Sequence, residues 1–205
     1  MKSNLFLQFK RGLLSKNFLI SILLSLFCFV LNWYSWRINL LMHKEGLILF
    51  YIAFTDFLPL MAPVIVTLPF AASFIEDKEK FFLRNVLIRE SRLYYFIQKY
   101  ITTGLLGGLA VALPLFLLLV LNLVIYPKGS VNFFSAVGPF SAVFKYSQLA
   151  YAVILIINSY IFGFIYANIG LTISFFIQNK VAAIISPFLL YSARFLFYLS
   201  AFRPL

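Results

Sequence analysis

Side chains able to do chemistry are scarce in this chain. Its 205 residues include one histidine, one cysteine and only six aspartates and glutamates. Cys28 sits alone inside an apolar run, so no disulfide framework is available. His43, in a short polar segment, cannot supply the two imidazoles of an H-E-x-x-H zinc protease. It also lies away from the serines that a Ser–His protease would need. The phosphate loop G-x-x-x-x-G-K-[ST] is missing. Gly104, Gly107 and Gly108 open a lipid-length apolar stretch instead of following a strand. The expectation is therefore no catalytic residue, no directly bound cofactor and no metal. Nucleotide-driven work, if any, must draw on another polypeptide.

Apolar residues take the place of that chemistry. Hydrophobic residues make up 63% of the chain and charged ones 11%, with a mean hydropathy of +0.97. Soluble domains carry roughly 45–50% apolar and roughly 25% charged residues. A water-soluble fold of this size has too little interior for so much apolar surface, so lipid must solvate most of it. The 26 Phe suit acyl chains, and the 12 Tyr suit headgroup belts. A net charge of +11 would raise nucleic acid as a partner in a soluble protein. Here the basic residues lie between apolar runs and read as topology, so nucleic acid is not expected.

Residues 3–16 are too charged to span. Leu5, Phe6, Phe9 and Leu13 share one helical face, and Asn4, Gln8, Arg11 and Ser15 the opposite one. This pattern predicts an amphipathic helix in the headgroup plane, with Lys10 and Lys16 available to anionic lipid. A helix needs about 20 apolar residues to cross about 30 Å of hydrocarbon. Five stretches meet that length: 18–36, 54–74, 101–125, 151–176 and 181–200. The first lacks an A-x-A-like cleavage site near its end and reads as an uncleaved span. Pro59, Pro63 and Pro69 fall in the second, Pro114 in the third and Pro187 in the fifth, where they would supply bends. Residues 126–149, with Pro127, Gly129, Gly138 and Pro139 among aromatics, read as an external loop on or dipping into the membrane surface.

Basic residues set the orientation. A cytoplasmic N-terminus puts Lys2, Lys10, Arg11, Lys16, Lys78, Lys80, Arg84, Arg89, Arg92, Lys99 and Lys180 inside. The other side receives Arg37, Lys44, Lys128, Lys145 and Arg203, and this imbalance favours the N-terminus inside. Ionisable residues within spans usually mark function. Only Asp56, near the outer end of the second span, and Arg194, in the fifth, fall there. Asp56 is expected to cap its helix at the interface and Arg194 to snorkel outward. Gly104 with Gly108, and Gly163 with Ala167, make small-x-x-x-small pairs that let helices approach closely, within the bundle or against a second subunit.

The connection Glu76–Lys99 holds ten of the chain's 17 basic and 6 acidic residues. Its middle reads as a helix, with Glu76 placed to pair with Lys80 at i,i+4. Phe82, Leu83, Val86 and Leu87 form an apolar face toward membrane or bundle. The other face presents Asp77, Lys78, Arg84, Asn85 and Arg92, and it exposes Phe81 and Ile88 as anchors for a partner protein.

Two stretches resemble the permease subunits of type-2 ABC exporters of Gram-positive bacteria. They are LPFAASFIEDKEKFFLRNVLIRESRLYYFIQKYI, from Leu68 to Ile101, and FGFIYANIGLTISFFIQNKVAAIISPFLLY, from Phe162 to Tyr191. With the N-terminal helix and the span order, the resemblance covers most of the chain. It implies that Glu76–Arg92 is a coupling helix seated in a cleft of a separate ABC ATPase subunit. Glu76, Asp77, Lys78, Phe81, Arg84, Asn85, Ile88 and Arg89 would be its coupling residues, and the N-terminal helix would also touch the ATPase. Two permease subunits, identical or related, would form the export pathway at their interface. The partner ATPase would hydrolyse the ATP.

The resemblance further implies a multi-pass protein of the bacterial plasma membrane. Its cargo would be amphipathic or apolar: a peptide, an antibiotic or a lipid. The family has six transmembrane helices with both termini inside. Here only Ala-Phe-Arg-Pro-Leu follows Ser200, so the sixth is expected to be lacking, as in a truncated product, a fragment or a divergent subunit. The expected fold is all-α, a polytopic membrane helix bundle forming one domain over 1–205, with five spans after the N-terminal interfacial helix. The alternative is a non-transporting membrane interaction or immunity protein that works without an ATPase.

Overall fold

The computed structural model describes residues 2–35, 47, 50–51, 57–69, 71, 73–79, 91–125, 140–177 and 179–201. Every regular element among the described residues is an α-helix, as the all-α expectation required. In chain order these are α1 (Lys2–Leu13), α2 (Lys16–Ser35), α3 (Phe57–Thr67), α4 (Ser73–Glu79), α5 (Arg92–Ile125), α6 (Ser141–Tyr146), α7 (Gln148–Phe176) and α8 (Lys180–Ala201).

Short polar side chains set the helix ends, because the first N–H groups and last carbonyls of a helix have no partner within it. The Ser15 hydroxyl donates to the Gly12 carbonyl at 2.7 Å, closing α1, and accepts from the Phe18 N–H at 3.1 Å, opening α2. One side chain thus serves both sides of a 52° bend. Asn32 Oδ1 accepts from the Phe57 N–H at the start of α3. Ser147 caps α7 through the Ala150 N–H, and Asn179 caps α8 through the Val181 N–H.

Two prolines inside helices are compensated in the same way. Proline has no N–H, so the carbonyl four residues earlier loses its intrahelical donor. For Pro114 that carbonyl belongs to Ala110, and the Ser25 hydroxyl of α2, shared with the Ser21 carbonyl at 3.0 Å, lies 3.2 Å from it. For Pro187 it belongs to Ala183, and the Ser186 hydroxyl donates to it at 3.3 Å.

The second expected span departs from its sequence reading. Among the described residues of 54–74, Phe57–Thr67 form α3, about 16 Å long at 1.5 Å per residue, and Ser73 and Phe74 open α4. Pro69 withholds the N–H that would continue the ladder to Ile65, and the chain turns before α4. At that stop the Thr67 hydroxyl lies 3.1, 2.9 and 3.0 Å from the carbonyls of Pro63, Val64 and Ile184, tying the end of α3 to α8. The third span starts earlier than expected: Arg92–Lys99, assigned to the connection, are the first turns of a 34-residue helix. Of the expected 126–149 loop, the described part forms α6 and the start of α7.

Among the described residues α5 and α7 are long and apolar enough to cross a membrane. The bent α1–α2 pair makes a third candidate, while α3 and the Lys180–Ala193 part of α8 are shorter apolar helices. This is the composition of a membrane protein. The core runs along α5, where Leu106, Ala110, Val111, Leu115 and Leu119 meet Phe29, Leu58, Ile65, Val66 and Ala152. At one end Phe50, Tyr51, Phe144 and Tyr151 form an aromatic cluster, with the Tyr51 hydroxyl donating to the Gln148 carbonyl at 2.7 Å. Buried charge gathers elsewhere along α5, on its first turns.

Candidate functional site

Three helices converge on Asp77 of α4. Its Oδ2 accepts from Lys99 Nζ at 2.6 Å and from the Tyr95 hydroxyl at 2.9 Å, both on α5. Its Oδ1 accepts from Arg11 Nη1 of α1 at 3.3 Å. Lys99 Nζ also donates to Ser73 Oγ at 2.9 Å. The Asp77 and Lys99 side chains are each 1% exposed, whereas Arg11 is 47% exposed. Tyr95 and Lys99 stand one turn apart, so α5 presents both to one carboxylate.

An ion pair so thoroughly withdrawn from water contributes little net stability, because desolvation offsets the Coulomb attraction. Removing one partner is a different matter, since it strands a buried charge at about 3–5 kcal/mol. The pair therefore acts as a geometric pin. It fixes α4 to the base of α5, and Arg11 adds α1 as a third, half-exposed contact.

Beside the pin, α1 lies close on α5. A side chain at Gly12 would run into Leu106, and Gln8 Nε2 donates to Gln98 Oε1 at 3.3 Å. The polar face of α1 thus turns partly toward α4 and α5 through Gln8 and Arg11. Phe6, Leu7 and Leu14 are left exposed, and Lys10 and Lys16 are exposed as well.

The candidate coupling residues separate. Asp77, expected on the face shown to a partner, is buried, because Lys99 and Tyr95 of the lengthened α5 supply its partners. Lys78 and Glu79 remain exposed, and Glu79 pairs with Lys180 of α8 at 2.5 Å. Glu76 lies within α4. Phe81, Arg84, Asn85, Ile88 and Arg89 fall outside the described residues, as do Lys80, Asp56 and His43. Arg194 lies on α8.

The candidate packing residues do come together, inside the bundle. A Cβ at Gly163 of α7 would sit 2.7 Å from the Gly107 carbonyl oxygen and 2.9 Å from Gly108 Cα. One at Gly107 would collide with Ala167, and one at Gly104 with Phe164. Backbone therefore meets backbone where α5 and α7 cross, and close van der Waals contact replaces the hydrophobic drive that lipid removes. The Tyr100 and Thr172 hydroxyls, 2.6 Å apart, join the same two helices.

Sequence reasoning missed the Asp77–Lys99 pair and the Ser25 contact to Ala110. The pair had one local signal, the Tyr95/Lys99 spacing, but Asp77 is 22 residues away along the chain. No group of three or more His, Cys, Asp or Glu able to hold a metal ion occurs among the described residues. No protein-family model, no curated protein and no solved structure matches this chain.

Proposed function

We propose that this chain is the membrane-spanning permease subunit of an ABC exporter, moving an amphipathic or apolar cargo with energy from a separate ATPase subunit. The observation that carries the reading is the Asp77–Lys99 pair. It clamps the two ends of the charged connection: Asp77 near its start, Tyr95 and Lys99 at its close. A connection held at both roots cannot be pushed without moving α4 and α5 together. Force applied there by a partner travels into α5, about 51 Å long. To swing a two-state bundle from 1:99 to 99:1, the partner must favour one state by about 5.5 kcal/mol.

The ion pairs Arg11–Asp77, Lys99–Asp77 and Glu79–Lys180 gather α1, α4, the start of α5 and the start of α8 at one end of the bundle. Lys10, Lys16, Lys78 and Arg92 belong to the same helices or to the start of α2. This basic end is the cytoplasmic one by the positive-inside rule, with the N-terminus inside and the protein in the bacterial plasma membrane. α1 lies in the headgroup plane. The second permease subunit completes the pathway.

The test is capture of a nucleotide-binding subunit with the protein extracted from membranes. The intact chain brings the ATPase with it, and Phe81→Ala with Ile88→Ala loses most of it. Capture unchanged by the double substitution contradicts the coupling assignment. If no ATPase is captured at all, the non-transporting interaction protein becomes the better reading.

A further inference from the structure

Asn158 lies in α7 among Ile154, Ile156, Ile157 and Ile161, ten residues from the start of a 29-residue apolar helix. Its side chain is exposed and makes no hydrogen bond among the described residues. An amide at that depth faces lipid that can neither donate nor accept, so it is stable only against another polar group. The opposite side of α7, through Gly163 and Ala167, is already spent on α5. Asn158 stands on the outer side with Ile154, Ile161 and Ile165, the last two about half exposed. The order Ile154, Asn158, Ile161, Ile165 is a 4-3-4 spacing, the seam of two helices packed along their length.

We infer that this face of α7 pairs with the same face of a second copy of this chain, with Asn158 opposite Asn158. The choice of occupant follows from symmetry. Two copies inserted in one membrane share an orientation, so their two-fold axis runs along the membrane normal and the two α7 helices are parallel. Parallel packing sets each seam residue against its own counterpart. Asparagine suits that place, because each amide donates to the other's carbonyl. A lone Asn in such a seam also fixes register and favours two strands. The inference rests on the permease reading above and deepens it: the second membrane subunit is another copy, and α7 is where it docks.

Cross-linking in membranes tests it, in a Cys28→Ala background so that one thiol per chain remains. Asn158→Cys and Ile161→Cys should form disulfide-linked dimers on mild oxidation, while Leu121→Cys on α5 and Leu190→Cys on α8 should not. In the native background, Asn158→Leu should lower co-capture of two differently tagged copies by roughly three- to tenfold, with Asn158→Gln closer to the native chain. Cross-linking of the Ile161→Cys variant, which keeps Asn158, no greater than at the two control sites overturns the pairing. So does labelling of the Asn158→Cys thiol by a water-soluble maleimide, which would place Asn158 on an aqueous path, and so does co-capture unchanged by Asn158→Leu. ATPase capture is read separately: its loss with cross-linking intact counts against the permease reading and leaves the pairing in place.

Discussion

α5 and α7 are both long and apolar enough to cross a membrane, yet the bundle uses them in opposite ways. Just over half of the apolar stretch of α5 is buried, 56%, against 17% for α7. α5 is an internal shaft: polar side chains pin its first turns, Ser25 patches it at Pro114, and helices contact it on several sides. α7 is a wall: glycines let it lie against the shaft, its neighbouring faces meet α3 and α8, and an outer face of isoleucines, interrupted by Asn158, is left exposed. Hydropathy alone cannot tell these roles apart, because lipid and protein interior look alike to an apolar side chain. The polar residues do distinguish them: Tyr95, Gln98 and Lys99 near the start of α5 are paired inside, and Asn158 of α7 faces out.

The largest effect expected from breaking this contrast comes from the pin. Asp77→Ala should destabilise the bundle by about 3–5 kcal/mol, since it leaves Lys99 buried without its counter-charge. Thermal unfolding in detergent measures this. Replacing both partners with apolar residues, as in Asp77→Leu with Lys99→Met, should recover most of the loss. If the double variant is no better than the single, the pair contributes more than geometry.

Next comes the crossing of the two helices. Gly163→Val forces side-chain atoms into the Gly107 backbone and should cost about 1–3 kcal/mol in the same assay. Ile165→Ala, on the outer face, should leave monomer stability nearly unchanged, within about 0.5 kcal/mol. Equal effects at the two positions would dissolve the distinction between packed and outer face.

A smaller effect sharpens the account of the shaft. Ser25→Ala removes a hydroxyl donor from the Ala110 carbonyl and should cost about 1 kcal/mol. In a Pro114→Ala background the helix regains its own donor, and Ser25→Ala should then cost less. A double-mutant cycle gives that coupling directly. Arg11→Ala should have the smallest effect, at or below about 1 kcal/mol, because the guanidinium is half in solvent. Its signature should be local, as increased protease sensitivity of α1 with the rest of the bundle unaffected.

Much of this was legible in the sequence, for reasons that differ by element. α2, α7 and α8 lie within a few residues of their expected bounds, because an apolar run ended by Ser, Asn or a charge is a local signal. The small residues Gly104, Gly108, Gly163 and Ala167 were identifiable because close backbone approach needs them wherever it occurs. The second span is interrupted after Thr67, because Pro69 withholds a ladder N–H that hydropathy does not register, while Pro63 stays within α3. The start of α5 was hidden by its charges. Lys99 and Arg92 resemble loop residues until Asp77 supplies Lys99 with a partner, and that pairing is non-local. The placement of Asp77 on an exposed face failed for the same reason. A helical wheel drawn from 76–92 cannot see a neighbouring helix.

The orientation of the pinned end decides whether a cytosolic engine can reach it. Lys78→Cys, beside the pin and exposed, in a Cys28→Ala background, reports this through a membrane-impermeant maleimide applied to intact cells and to permeabilised ones. Labelling only after permeabilisation is the result predicted here. Labelling of intact cells would put the charged connection outside and contradict the permease reading at its root.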